Sequence, residues 1–547
     1  MEKAPWVCGK AAFENRVVHI DLKGPKIPFD SFKKFLEKLA RWGINGVLVE
    51  YEHRFPFLPL KNQFPISERY SRNQMNELIK FACDHGIEWI PLVQTFGHVE
   101  YLSRLEGTQV LFENPEYPQQ LCPMKTQTRK YLEDLLDIIC TFHQNTRYIH
   151  VGQDETHQLG YCAQCKKEVK KIGKIEFYLL HVQWVWDIVR KYNKIPLFWA
   201  DMFFTENRID LLKKVDHAIP VVWEYDDTDE ISHDIRIGSP KPSILDARNP
   251  YKAPEKGLPV SRFEKDGNFF EDMDEKIKNM IGTDKKTGYP KSFPQTRIVS
   301  QINKNFWSAC ATYNCSDKQF LPDFIRALLN PIFMCKTLKE VGGRSIIATN
   351  WARAHSWAPI SPPWTLYLYN IAHFAAFCYT GTTKPSDIKE TSKIIAREIS
   401  MPVNFGKFSL DDILWVISSN APGPGIMKRI RNLENTLLLL KQQKIKSKFG
   451  NGLLIGVEAE LLWSKLIFLQ EEARWWTPMK GQIPSIIFEE MEERFTHITK
   501  EIKKLEIRAY TYYTETVGDS RSFKTWWKGL FDLDLSITEK AIKSLTK

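Results

Sequence analysis

Two adjacent acids, Asp154 and Glu155, are the residues of this chain best suited to acid–base chemistry. They follow an apolar run, residues 148–151, that predicts a short buried strand, and Gly152 and Gly160 punctuate the loop after it. If Asp154 stays ionised, its charge raises the cost of ionising Glu155, and apolar walls raise that cost further. A glutamic acid that keeps its proton near neutral pH can protonate a leaving oxygen. The pair therefore indicates a candidate catalytic site.

The geometry of an extended chain restricts how these acids can cooperate. On a strand, His150, Gly152 and Asp154 share one face, whereas Glu155 has the other parity. Both carboxylates can reach one pocket only if the chain is already turning out of the strand. A solvated acidic turn is the alternative, because most Asp-Glu pairs are surface charges.

The elements that would position the acids form a repeating pattern. Over residues 1 to about 380, short apolar runs alternate with amphipathic helices, which predicts an α/β fold with eight β/α units closed into a (β/α)8 TIM barrel. A doubly wound open sheet is the structural alternative, but no Gly-rich phosphate fingerprint follows the first run. The eight runs are residues 16–21, 46–50, 89–94, 148–151, 196–199, 220–223, 305–307 and 345–349.

Tryptophan and acidic residues recur at the ends of the predicted strands, and in a barrel these ends meet at one face. Indole planes stack on the apolar faces of a pyranose, and carboxylates bind its hydroxyls, so these residue types suit a sugar. A nucleotide phosphate would instead need Lys, Arg and Gly. His98 either orients Glu155 by a hydrogen bond or is an ordinary structural histidine. The candidate substrate-binding residues are Glu50, His98, Trp199, Asp201, Trp223, Tyr225, Trp307 and Trp351.

The chain divides near residues 380–386. We expect a catalytic barrel over residues 1–380, with an insertion at about 226–297, and a C-terminal all-helical domain over residues 381–547. The insertion reads as a surface elaboration rather than a lid, because few apolar residues could anchor a lid. A heptad seam in the helical region predicts packing on another helix of the same chain, and a homodimer contact is the alternative. The seam comprises Phe488, Met491, Phe495, Ile498, Ile502 and Leu505.

The amino-acid composition limits the classes of partner that we expect for this protein. The net charge of +10 is modest for 547 residues and is spread over Lys-rich helix faces, so we expect no nucleic-acid partner. No run is apolar enough to span a bilayer, and the first residues lack a signal-peptide core, so we expect a cytoplasmic or nuclear protein. The expected partner is a glycoconjugate or oligosaccharide, and we expect no cofactor.

The ten cysteines show no disulfide framework. Cys162 and Cys165 have the spacing of a metal-ligand pair, but a structural zinc needs four ligands and no second close pair is visible in the sequence. We therefore expect these two residues to pack in a loop and the chain to hold no metal, with metal or redox chemistry as the alternative.

At His150-Val151-Gly152-Gln153-Asp154-Glu155 the chain shows the pattern His-x-Gly-x-Asp-Glu and resembles the family-20 glycoside hydrolases. It is similar to the compact hexosaminidase D group, which lacks an N-terminal accessory domain, although the insertion departs from that group. Where the wider family has an Arg after the first strand, this chain has Lys23. The resemblance is carried by residues 19–24, 45–52, 91–98, 150–155, 306–311 and 349–353.

The resemblance implies hydrolysis of terminal β-linked N-acetylhexosamine with retention, in which the substrate's 2-acetamido oxygen is the nucleophile. It implies that Asp154 orients the acetamido group and that Glu155 is the general acid and base. Members of the hexosaminidase D group tend to favour galactosamine over glucosamine, and the resemblance implies the same tendency for this chain. By the same resemblance, Trp199, Trp223, Trp307 and Trp351 wall the sugar pocket, Asp201 and Tyr225 make polar contacts, and Glu50 and Glu52 bind sugar hydroxyls.

Two other functions remain open at this point. A catalytically silent sugar-binding barrel would be marked by a lost acid, and here both Asp154 and Glu155 are present. A barrel glycosidase with a protein nucleophile needs a second carboxylate about 5 Å from the acid, for which Asp201 is the candidate.

Overall fold

A computed structural model of the protein describes residues 2–24, 26–232, 274–314, 320–353, 363–382, 384–418, 425–479, 482–518 and 520–545. Eight parallel strands close into a barrel in sequence order, and β8 pairs with β1 to complete it. The predicted (β/α)8 barrel is therefore confirmed. Its strands are β1 (Asn15–Asp21), β2 (Gly46–Glu50), β3 (Glu88–Leu92), β4 (Tyr148–His150), β5 (Ile195–Trp199), β6 (Ile219–Trp223), β7 (Trp307–Tyr313) and β8 (Ser345–Asn350).

Helices lie between the barrel strands and continue after them. In the barrel region they are α1 (Phe29–Arg41), α2 (Arg72–Asp84), α3 (Thr126–Phe142), α4 (Ala163–Ile172), α5 (Lys174–Lys191), α6 (Asp201–Thr205), α7 (Glu275–Ile281), α8 (Pro294–Ile302), α9 (Phe324–Val341) and α10 (Leu368–Thr380). After them come α11 (Pro385–Glu398), the short strands β9 (Asn404–Phe405) and β10 (Phe408–Ser409), α12 (Leu410–Ser418), α13 (Ile426–Lys441), α14 (Lys448–Trp476), α15 (Ser485–Val517) and α16 (Ser520–Ser544).

Side chains of the barrel strands alternate between two apolar layers, as the two-residue period of a strand requires. Val17 and Val221 point into the barrel interior, whereas their neighbours Val18 and Val222 pack outward among the surrounding helices. Both faces of each strand are thus buried, which explains why the strands read as continuous apolar runs in the sequence.

The seventh strand corrects one expectation. Residues 305–307 were expected to form a strand ending at Trp307, but β7 begins at Trp307 and continues to Tyr313. The ring of Trp307 lies 5.1 Å from that of Tyr148, the first residue of β4, so it belongs to the amino-terminal end of the barrel. The small residues after Trp307 hid the strand, because Ser308, Ala309 and Ala311 do not make an apolar run. Trp307 therefore lies at the opposite end from Asp154 and Glu155.

The heptad seam packs within the chain. Met491, Ile498, Ile502 and Leu505 are buried, and α15 lies against α14 and α16. Of the predicted insertion, residues 233–273 lie outside the described residues. The expectation that the insertion is a surface elaboration therefore stays a prediction. Among the helices that the structure describes, none is both long and apolar enough to cross a membrane.

Candidate active site

The chain turns sharply at the acid pair. Strand β4 ends at His150, and Gly152, Gln153 and Glu155 have φ values of +68°, +79° and +50°. Glycine is required at 152, since a Cβ there would lie 1.8 Å from the side-chain oxygen of Gln94. On a continuing strand the two acids would point to opposite faces. Because the chain turns here, both carboxylates can reach one pocket, which is the condition set by the sequence.

Buried side chains hold the turn in its strained conformation, which non-glycine residues adopt at a cost. Trp186 Nε1 donates to the side-chain oxygen of Gln153 at 3.0 Å, and the Tyr178 hydroxyl donates to its carbonyl oxygen at 3.0 Å. Neither of these supports is evident from the sequence. Their spacing carries no signal, because they reach the turn from α5 through the fold.

His98 joins the two acids. Its Nε2 lies 3.1 Å from Glu155 Oε2 and 3.4 Å from Asp154 Oδ2, so the hydrogen bond considered from the sequence is present. Burial lowers the pKa of His98, but Asp154 and Glu155 outweigh burial and raise that pKa to about 10. The imidazole is therefore cationic at neutral pH and balances one of the two carboxylate charges.

The two acids have different surroundings. Asp154 is buried, and its Oδ1 has no hydrogen-bond partner among the described residues. Burial raises the pKa of Asp154 to about 6, with Glu155 adding to the effect and His98 opposing it. The Glu155 side chain is 29% exposed. Asp154 thus offers an unmet acceptor inside the site, whereas Glu155 lies where a leaving group and water could reach it.

Asp201, which follows the neighbouring strand β5, supports the turn at the acid pair. It is the first residue of α6, directly after β5, and its Oδ2 accepts the backbone N–H of Glu155 at 3.0 Å. This contact places Asp201 beside the acid pair. One of its carboxylate oxygens is therefore engaged by the backbone of Glu155.

Four of the predicted aromatic residues form one wall at the carboxyl ends of the strands. The Trp199 ring lies 5.9 Å from that of Trp351. Trp351 Nε1 donates to the Tyr225 hydroxyl at 3.1 Å, and Tyr225 stacks on Trp223 at 5.2 Å with planes 21° apart. Trp223 and Trp351 are only partly buried, so part of each side chain is open to a ligand. Trp307, at the other end of the barrel, takes no part in this wall.

Glu50 is fully buried at the end of β2. Its Oε2 lies 2.8 Å from Lys23 Nζ and 3.3 Å from His19 Nε2, and its Oε1 accepts from Gln94 at 3.2 Å. Burial raises the pKa of Glu50, but Lys23 and His19 outweigh it and hold that pKa well below its usual range. Lys23 Nζ also lies 4.7 Å from the Trp351 ring centre. Glu50 thus anchors Lys23 beneath the aromatic wall.

Comparison with known proteins finds a family match over part of this chain. Residues 53–241 match the family described as "Glycosyl hydrolase family 20, catalytic domain". The resemblance to family 20 is confirmed. "Hexosaminidase D" of Bos taurus is 31% identical over 218 residues, which cover 38% of this chain and 62% of that protein. "Hexosaminidase D" of Homo sapiens is 30% identical over 227 residues, covering 40% of this chain and 46% of that protein.

The chain thus spans less than two thirds of the length of either family-20 relative. Among solved structures, a β-N-acetylhexosaminidase from Bacteroides fragilis aligns with a TM-score of 0.46 and 14% identity, over 71% of each chain. The family match covers β3 to β6, so it includes the acid pair, His98 and Asp201.

Proposed function

We propose that this protein is an exo-acting β-N-acetylhexosaminidase, with the barrel of residues 1–380 as its catalytic unit. It would release terminal β-linked N-acetylgalactosamine or N-acetylglucosamine from a glycoconjugate or oligosaccharide. The observation that carries the proposal is the pairing of Asp154 with Glu155 through His98, with Asp154 Oδ1 left without a partner. The hexosaminidase names of the family-20 relatives support the substrate class.

In the proposed reaction the substrate's own acetamido oxygen attacks the anomeric carbon while the glycosidic C–O bond breaks. Glu155 gives its proton to the leaving oxygen, and the sugar becomes a cyclic oxazolinium ion. Asp154 accepts the acetamido N–H and stabilises the positive charge that develops there. Glu155 then takes a proton from water, which attacks the same carbon and reopens the ring. Two displacements at one carbon retain the configuration.

The charges of the site support this division of roles. Burial raises the pKa of Asp154 to about 6, so this carboxyl binds a proton in mildly acidic solution. A bound acetamido N–H would favour ionised Asp154, because hydrogen bonding to the charged form stabilises that form. The role of proton donor would then fall to Glu155, the acid that is partly exposed.

The alternative with a protein nucleophile fits less well. Asp201 is the candidate, and its Oδ2 accepts the backbone N–H of Glu155. That contact gives Asp201 a role in positioning the general acid. A silent sugar-binding barrel would lack the chemistry of the pair, yet both carboxylates lie beside His98.

The test is an assay of the purified full chain on paired aryl β-N-acetylgalactosaminide and β-N-acetylglucosaminide substrates across pH. We expect hydrolysis of at least one substrate, with the β-anomer as the first product detected by NMR. Binding of N-acetylhexosamine without any hydrolysis would identify a sugar-binding barrel and overturn the proposal. An α-anomer as first product would exclude a retaining mechanism.

A further inference from the structure

Three cysteines from two separate loops meet beside the acid-pair loop. Cys162 and Cys165 lie at the start of α4, and Cys122 comes from the long loop after β3. Cys122 Sγ lies 3.6 Å from Cys165 Sγ and 3.9 Å from Cys162 Sγ, and all three sulfur atoms are within 4.8 Å of one another. Cys122 and Cys165 are buried, and Cys162 is half-buried. Only the close pair, Cys162 and Cys165, is evident from the sequence.

The separations fit a metal ion at the centre of the cluster. A disulfide would bring two sulfur atoms to about 2.05 Å, far closer than the distances found. Zinc binds thiolates at about 2.3 Å in a tetrahedron, whose edge is then about 3.8 Å. The two measured separations of 3.6 and 3.9 Å bracket that edge. The third separation, between Cys162 and Cys165, is within 4.8 Å, so the three sulfur atoms are close enough together to share one zinc ion.

The backbone around the cluster also suits thiolates. Cys162 Sγ caps α4 by accepting the backbone N–H of Cys165 at 3.4 Å. The N-terminus of a helix stabilises nearby negative charge, and thiolates at such positions form at lower pH. Two cysteines separated by two residues are a common two-ligand unit of zinc sites. Cys122 supplies the third ligand that this unit needs.

We propose that Cys122, Cys162 and Cys165 bind one Zn²⁺ ion as thiolates. The three residues release their thiol protons on binding, and no electron transfer is involved. Among the described residues, no fourth His, Cys, Asp or Glu atom joins the group within 4.8 Å. A water molecule or a small exogenous ligand would complete the tetrahedron. Soft thiolate ligands favour Zn²⁺ over Mg²⁺ or Ca²⁺.

The ion would fasten together the two loops that build the acid site. The same loops are already joined by Glu113 Oε1, which accepts the backbone N–H groups of Gly160 at 2.8 Å and Tyr161 at 2.7 Å. Gln120 Oε1 accepts the backbone N–H of Gln158 at 3.1 Å. The second of these loops begins at the acid pair. A zinc ion held by these three thiolates would thus tie the two chain segments together while leaving its fourth position open, and this role does not depend on the proposed reaction.

The test is the metal content of the full chain, purified under reducing conditions and measured by plasma mass spectrometry. We expect about one zinc per chain in the wild type and a loss of most of it in Cys162→Ser. Cys162 is the half-buried member of the cluster, so its substitution disturbs packing least. Cys140→Ser is the matched control, because Cys140 is a buried cysteine of α3 outside the cluster, and it should keep its zinc.

Cobalt substitution gives a second readout on the wild type. Co²⁺ bound by three thiolates should show sulfur-to-metal charge-transfer absorbance, which Cys162→Ser should lower by about a third or abolish. A chelator strong enough to remove the metal should also lower the melting temperature of the wild type and leave that of folded Cys162→Ser unchanged. A metal-free wild type with three titratable thiols would overturn the proposal, as would an intact mass that reveals a disulfide between two of them.

Discussion

Asp201 accepts the backbone N–H of Glu155 through Oδ2 at 3.0 Å. Glu155 has a φ of +50°, a conformation that few non-glycine residues adopt without support. The contact therefore helps to fix the backbone that aims Glu155, the proposed general acid. Asp201 begins α6, shortly after β5, and β5 is the strand paired with β4, so the barrel itself provides this support.

Asp201 could act either as an acceptor that positions Glu155 or as a nucleophile, and substitutions can distinguish these two roles. We predict that Asp201→Ala lowers kcat by roughly 10- to 100-fold, the equivalent of losing one charge-assisted hydrogen bond of about 1.5–3 kcal/mol. Asp201→Asn should recover much of that loss, because its amide oxygen can still accept the N–H. If Asp201 were the nucleophile, Asn would be as inactive as Ala, so the comparison of kcat for the two variants decides the role.

Glu155→Gln should lower kcat by roughly 10²–10⁴-fold on an aryl N-acetylhexosaminide with a poor leaving group, since the amide cannot donate the required proton. The loss should be smaller with a dinitrophenyl leaving group, which needs little protonation. Glu116→Gln is the control, because Glu116 is an exposed acid in the loop after β3. Equal losses on the two leaving groups would argue against Glu155 as the general acid.

His98 should make stability depend on pH. Its folded-state pKa of about 10 lies above the ordinary value of 6.5, so its contribution is fully present below about pH 6.5 and is lost as pH rises towards 10. We predict that His98→Asn, which tolerates the φ of +52°, is less stable than the wild type by on the order of a few kcal/mol near pH 6.5.

The difference between His98→Asn and the wild type should shrink steadily between pH 6.5 and 10, as measured by urea unfolding at each pH. A difference that stays constant over that range would mean that His98 contributes by packing rather than by charge.

Two tryptophans at opposite ends of the barrel should behave differently. Trp307 is buried against Tyr148, so Trp307→Phe should lower the free energy of unfolding by about 1–3 kcal/mol and leave KM unchanged. Trp351→Phe should raise KM, because it removes the indole N–H that holds Tyr225 in the aromatic wall. A rise in KM for Trp307→Phe would contradict its placement away from the site.

The barrel could be predicted because its strands are buried on both faces and stand out as apolar runs. Strand β7 was misplaced because its small residues fill the barrel without an apolar signature, and Trp307 was therefore assigned to the wrong end. The acid pair Asp154 and Glu155 could also be predicted, because the two residues are neighbours in the sequence. The sequence showed that the chain must turn for the two acids to share a pocket, but it did not show that the turn occurs. The backbone conformation at Glu155 depends on partners distant in sequence, such as Asp201.

Contacts between loops could not be read from spacing. Cys122 meets Cys162 and Cys165 only because the loops after β3 and β4 lie side by side at one end of the barrel. The burial of Glu50 was equally hidden, because a carboxylate at a strand end reads as a ligand group until its pairing with Lys23 is known.

The central claim is that Asp154 receives the acetamido N–H of a substrate that supplies its own nucleophile, and binding of a thiazoline mimic of the cyclic intermediate tests it most directly. Calorimetry on the wild type and on Asp154→Asn, both checked for folding, gives the comparison. We predict tight binding to the wild type and at least roughly 10-fold weaker binding to the variant, equal to about 1.4 kcal/mol. Equal affinity for both proteins, or no binding to the wild type, would contradict the account.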